Sequence, residues 1–122
     1  MAVQISKGKG RGVFATGRIR AGEIIESAPV MLVPKSESEM LATTFLGHYM
    51  FQTDNRKHYV IGLGLTSMIN HDDNPNAEFF VSIEDIVVKS KRAIPIGGEI
   101  TVDYGWGEKE WAQVGVVYPF RE

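Results

Sequence analysis

The chain contains no cysteine. That absence excludes disulfides and thiolate metal sites, and it fits a reducing compartment. No apolar run approaches the roughly 18–20 residues that a membrane-spanning helix needs, so no membrane association is expected. The opening residues, Met1-Ala2-Val3-Gln4-Ile5-Ser6-Lys7, lack the apolar stretch of a secretory signal. A cytoplasmic or nuclear location is the expectation. Positive charge is not in excess: 13 Lys and Arg stand against 15 Asp and Glu, a formal net charge of −2. Direct nucleic-acid binding, which relies on a positive surface, is therefore not expected. No Gly-x-Ser-x-Gly elbow occurs, which leaves a serine hydrolase without support. Histidine is also scarce, and His48 and His58 stand alone in the sequence, without neighbours that would make them catalytic.

What is present is the composition of a folded domain, with 43% hydrophobic and 23% charged residues in 122. A domain of this size buries about two-thirds of the surface its unfolded chain exposes, so it needs no covalent staple. With no repeat, linker or low-complexity segment, residues 1–122 read as one domain. Charge is distributed unevenly. Lys7, Lys9, Arg11, Arg18 and Arg20 lie in the first 22 residues with no acid among them. Asp72, Asp73, Asp103, Glu108 and Glu110 flank the motifs described below. They are either ordinary solvated surface or an acidic rim that attracts a basic peptide.

Glycine, proline and alternating β-branched residues make short strands the dominant expectation. Strands are predicted over Arg11–Ala15, Glu23–Ser27 and Pro29–Val33, with Ala21-Gly22 as a turn. Ser36-Glu37-Ser38-Glu39 has the form of a capping box, which predicts a helix over Glu37–Phe45 that Gly47 stops. Tyr49–Gln52 and His58–Ile61 read as a hairpin around Thr53-Asp54-Asn55-Arg56. Ala77–Ile83 and Ile86–Lys91 read as a second hairpin, Glu99–Tyr104 as a last strand and Glu108–Gln113 as a helical turn.

Three segments carry candidate chemistry. Gly10-Arg11-Gly12 places glycines two apart, which allows close approach of backbone to a ligand because no Cβ intervenes. It precedes no helix and no Gly-Lys-Ser/Thr follows, so neither a dinucleotide fold nor a P-loop fits. Asn70-His71-Asp72-Asp73-Asn74-Pro75-Asn76 ends an apolar run in an amide, an imidazole and two carboxylates. A calcium loop fails there, because Ala77 stands where the turn glycine is needed and Ile83 where the bidentate glutamate is needed. A capped turn is the plain structural alternative. Glu99-Ile100-Thr101-Val102-Asp103-Tyr104-Gly105 ends a strand on tyrosine and glycine, where a buried tyrosine with a bonded hydroxyl is the ordinary reading. No metal set is expected.

Together, Gly10-Arg11-Gly12-Val13-Phe14-Ala15, the Asn-His-x-x-x-Pro-Asn spacing from Asn70 to Asn76, and Glu-Ile-Thr-x-x-Tyr-Gly from Glu99 resemble the SET-domain protein lysine methyltransferases. The resemblance runs from about Gly8 to Tyr104. It implies a mainly β fold, β-clip-like, of several short curved sheets with few short helices and a threaded C-terminal segment. It implies S-adenosyl-L-methionine as cofactor and a basic protein or peptide, histone included, as substrate. Carried over residue by residue, Gly10, Arg11, Gly12, Asn70, His71 and Tyr104 meet the cofactor, with Tyr104 also the catalytic residue. Pro75 and Asn76 shape the loop that the C-terminal segment threads. Tyr49, Phe79 and Val102 fall on the substrate side. Neither Phe79 nor Val102 carries a second hydroxyl of the kind that limits some members to one methyl group, so a dimethyl or trimethyl product is expected. Gly98 replaces the usual glutamate before Glu99. Many members close the site with a cysteine-rich zinc module, so here residues 106–122, with Trp106, Trp111, Tyr118 and Phe120, would form a cysteine-free flap. A catalytically degenerate domain that binds cofactor or peptide without turnover is the alternative that the resemblance leaves.

Overall fold

Short alternating segments bounded by turn residues become strands in the computed structural model, which describes residues 1–6 and 10–105. The expected helical turn at Glu108–Gln113, the flap, its four aromatic residues and Gly8 lie outside the described residues. Contacts divide the chain into two units that interleave in sequence. The first is Met1–Glu23, Met68–Glu78 and the chain from Ser90 on; the second is Ile24–Ser67 and Phe79–Lys89. Among the described residues no helix is long and apolar enough to cross a membrane.

A four-stranded sheet organises the first unit. Its strands are β1 (Ala2–Ser6), β2 (Gly10–Phe14), β6 (Asn70–His71) and β9 (Glu99–Val102), in the order β1-β2-β9-β6. β1 pairs antiparallel with β2. It was not expected, because its apolar residues face outward: Ile5 is 85% exposed and only Ser6 is buried. The Val3-x-Ile5 alternation ahead of Lys7-Gly8-Lys9 in the sequence was the available signal. β9 pairs antiparallel with β2 through Val13 and Ile100, and parallel with β6 through Asn70 opposite Thr101 and His71 opposite Val102. A strand late in the chain is thus enclosed by two earlier ones. Val13, Ile69, Ile94, Ile100 and Val102 fill the core of this unit at 2% exposure or less. Each such side chain contributes about 1.5–3 kcal/mol through burial. The segment after β2 is held by the Ile19–Ile94 bridge and by Ala15 N–H donating to Gly98 O at 2.9 Å.

The second unit is built on a five-stranded sheet with the order β4-β5-β3-β8-β7. β4 is Met50–Gln52, β5 is Tyr59–Gly62, β7 is Ala77–Val81 and β8 is Asp85–Ser90. The two hairpins form as expected. The two strands predicted at Glu23–Ser27 and Pro29–Val33 are instead one, β3 (Ile24–Val33), with a register irregularity between Ile24 and Glu26. Pro29 does not break it, for a local reason. β3 pairs with β8 up to Pro29 and with β5 from Val30 onward, so the residue without an N–H sits where the partner changes.

The helix also differs from expectation. α1 spans Lys35–Leu41 and begins after Pro34, whose carbonyl accepts from Glu37 and Ser38 N–H. Ser36 makes no cap, because it already lies inside the first turn. Thr43 and Thr44 hydroxyls donate to the carbonyls of Met40 and Leu41 at the other end, and a 3-10 helix follows over Phe45–Tyr49. Gly47 lies within it and does not stop α1. A Cβ there would fall 2.2 Å from the Leu41 carbonyl oxygen, so glycine permits this tight turn.

Candidate active site

Asn70, His71 and Tyr104 are brought together by the parallel pairing of β6 and β9. A 3-10 helix over Leu65–Met68 delivers the chain to Ile69, and β6 follows at once. The ladder continues past β6, where Asp72 N–H donates to Val102 O at 3.0 Å. Asn76 then fastens β9 a second time. Its Nδ2 donates to Glu99 O at 2.8 Å and its Oδ1 accepts from Thr101 N–H at 2.9 Å, as a neighbouring strand would. The side chain thereby substitutes for missing backbone along β9, and buried Pro75 fixes the turn before it.

Tyr104 lies two residues beyond β9, and its hydroxyl donates to the carbonyl of Ile69. The phenolic proton is thus committed to backbone, and the oxygen presents acceptor character. Tyr104 N–H donates to His71 Nδ1 at 3.0 Å, and the two rings lie 5.4 Å apart and tilted by 55°. With Nδ1 as acceptor, the ring proton of His71 belongs on Nε2, which faces Asp73 Oδ1 at 2.7 Å. Asp103 Oδ1 stands 3.6 Å from Nδ1 and accepts from Gly105 N–H, closing a turn with Gly105 at φ 71°. Asp73 and Asp103 are exposed, so acidic side chains do edge this part of the unit.

Asn70 is 4% exposed. Both hydrogens of its amide are used: Nδ2 donates to Arg11 O at 2.9 Å and to Glu99 Oε2 at 2.8 Å. The other oxygen of Glu99 accepts from Ser6 Oγ at 2.8 Å. Gly12 lies against this cluster. A Cβ on it would fall 2.4 Å from Glu99 Oε2 and 2.8 Å from Asn70 Nδ2. Its missing side chain therefore makes room for the protein's own polar groups, where the sequence had suggested only approach to a ligand. A Cβ on Gly10, at φ 76°, would meet nothing within 4 Å among the described residues.

Of the residues singled out in the sequence, Gly10, Arg11, Gly12, Asn70, His71, Val102 and Tyr104 all belong to the first unit. Val102 is 2% exposed and pairs with His71. Tyr49 and Phe79 belong to the second unit. Tyr49 ends the 3-10 helix and packs on Phe45 at 5.5 Å, while Phe79 meets Phe51 edge-on at 5.1 Å. Glu99 and Ser6 were not among the candidate site residues. A carboxylate opening a strand whose other residues are β-branched was the signal for Glu99; Ser6 gave none.

A family model of the SET domain matches residues 10–105. A histone-lysine N-methyltransferase of Schizosaccharomyces pombe, specific for H3 lysine 37, is 31% identical over 128 aligned positions. The alignment takes in 100% of this chain and 86% of that protein. A solved structure of a candidate histone methyltransferase from Plasmodium falciparum superposes with a TM-score of 0.72 at 27% identity. It covers 88% of this chain and 95% of the other.

Proposed function

The chain belongs to the SET-domain family, and we propose that it is a protein-lysine N-methyltransferase that uses S-adenosyl-L-methionine. The observation that carries the reading is the state of Asn70. Its two amide hydrogens are bound within the protein, while its Oδ1 makes no hydrogen bond among the described residues. An acceptor left open on an otherwise buried side chain suits a cationic donor such as the ammonium of the cofactor's amino-acid end. The space at Gly10 that the described residues leave open, and its exposure, fit the same ligand. Gly10, Arg11, Gly12, Asn70, His71 and Tyr104 are the residues that would hold it. When bound, the cofactor supplies a methyl group made electrophilic by its sulfonium.

The protein's own part is to present a neutral, oriented amine. A free lysine titrates near 10.4, so deprotonation at pH 7 costs about 4.6 kcal/mol. Desolvation and a neighbouring positive charge both lower that cost, which removes the need for a dedicated base. Tyr104 is the proposed catalytic residue. With its proton held by Ile69 and its backbone held by His71, the hydroxyl oxygen is fixed as an acceptor that aligns the amine. Tyr49, Phe79 and Val102 are assigned to the substrate on family resemblance. The exposed Asp73 and Asp103 favour a basic peptide, a histone tail among them.

Radiolabelled methyl transfer from S-adenosylmethionine onto histone H3, read by mass spectrometry at single lysines, tests the proposal. Label on a lysine is the expected result. A thermal midpoint that rises with S-adenosylmethionine while no protein substrate accepts label would instead make the chain a binding module.

A further inference from the structure

The Asn70 amide could in principle present either end to a ligand, because the oxygen and nitrogen ends are nearly the same shape. Here the choice is forced. The Arg11 carbonyl and the Glu99 carboxylate both face Nδ2, and a flipped amide would set Oδ1 against two oxygens. Glu99 is itself held by Ser6 Oγ, and the missing Cβ of Gly12 leaves space for its carboxylate. Ser6, Gly12, Glu99 and Asn70 lie on β1, β2, β9 and β6, which is the order of the sheet. One polar chain thus crosses all four strands and ends on Asn70.

We propose that Glu99 is a positioning residue for cofactor binding: anchored by Ser6, it fixes the Asn70 amide so that Oδ1, and not Nδ2, meets the ligand. The consequence is selectivity for a donor, the ammonium end of an amino acid. The proposal rests on Asn70 being a cofactor contact, as argued above. Its effect on chemistry is indirect, since Glu99 acts through Asn70.

Calorimetry with S-adenosylmethionine on the wild type, Asn70→Ala, Glu99→Ala, the double variant and Glu99→Gln tests it. Glu99→Ala should weaken binding about tenfold, the scale of a hydrogen bond to a charged group. The double variant should bind no more weakly than Asn70→Ala alone, because the glutamate has nothing left to position. Glu99→Gln should recover most of the lost affinity, since its carbonyl can still accept from Nδ2. Additive losses, or a glutamine variant as weak as the alanine one, would overturn the proposal. The cofactor-free wild type gives a second measurement that depends neither on variants folding nor on the cofactor assignment. Both side-chain amide protons of Asn70 should exchange slowly with solvent, and rapid exchange would overturn the proposal even if S-adenosylmethionine binds. Slow exchange in a protein that binds no S-adenosylmethionine would support the fixed amide while sinking the functional reading.

Discussion

The two units are built by different means. In the second, the long strand β3 forms antiparallel ladders with β5 and β8, and most side-chain hydrogen bonds stay local, as in the Thr53–Asn55 and Ser82–Asp85 turns. An exception is Glu26, whose two oxygens accept from Leu65 and Thr66 N–H. In the first unit, side chains join segments far apart in sequence: Ser6 to Glu99, Asn70 to Arg11 and Glu99, Asn76 to β9. Backbone ladders tolerate many side chains, whereas a buried amide or carboxylate has a fixed set of partners. The lesson is that the first unit has spent its sequence freedom on orientation, and the second has kept its own for packing.

Four substitutions probe that contrast, from the largest effect down. Tyr104→Phe should lower the rate of methyl transfer by about 10²–10³-fold, the range seen when a preorganised hydrogen-bonding group is removed. Cofactor affinity measured by calorimetry should barely move, and near-normal turnover with saturating substrates would remove Tyr104 from its role. Asn76→Ala leaves Thr101 N–H and Glu99 O without their partner. A loss of about 2–4 kcal/mol in urea unfolding is expected, and a loss under 1 kcal/mol would mean that β9 does not depend on the clamp. Ile86→Val, at a fully buried position of the second unit, should cost about 0.5–1.5 kcal/mol of stability. Its affinity for S-adenosylmethionine should match the wild type, and a parallel fall in affinity would dissolve the division of labour. Phe79→Tyr should change stability least. If the Phe51–Phe79 pair meets the substrate, the added hydroxyl should shift the product toward monomethyl-lysine in mass spectra of a fully reacted peptide. A wild type that itself stalls at one methyl would defeat that expectation.

Legibility in the sequence followed the same division. Both hairpins of the second unit were readable, because Asp54-Asn55 and Ser82 to Glu84 mark turns between alternating apolar residues. The capping box at Ser36 misled because Pro34 already supplies the first carbonyl acceptor two residues earlier. Reading β3 as two strands misjudged Pro29, whose tolerance depends on where the pairing partner changes. In the first unit, the residue types of Asn70, His71 and Tyr104 stood out, yet the parallel pairing that gathers them could not be read. Nothing local encodes a partner a quarter of the chain away. The cluster around Glu99 was hidden for that reason too: nothing in the sequence near Gly12 announces the carboxylate that its missing Cβ makes room for.

The enclosure of β9 between β2 and β6 also bears on how the chain folds. Antiparallel hairpins close early, since few residues separate their strands. β1 and β2 can therefore form a hairpin as soon as they leave the ribosome, but the strand that belongs beside β2 begins only at Glu99, long after Phe14. Until β9 is made, the hydrogen-bonding edge of β2 and the short β6 lack that partner. Such an edge invites pairing with another chain, and glycine and charge along a strand are ordinary protection against it. Gly10, Arg11 and Gly12 open β2 with that protection. A nascent chain arrested before Glu99 should accordingly recruit chaperones, and release of the stretch through Val102 should end that dependence.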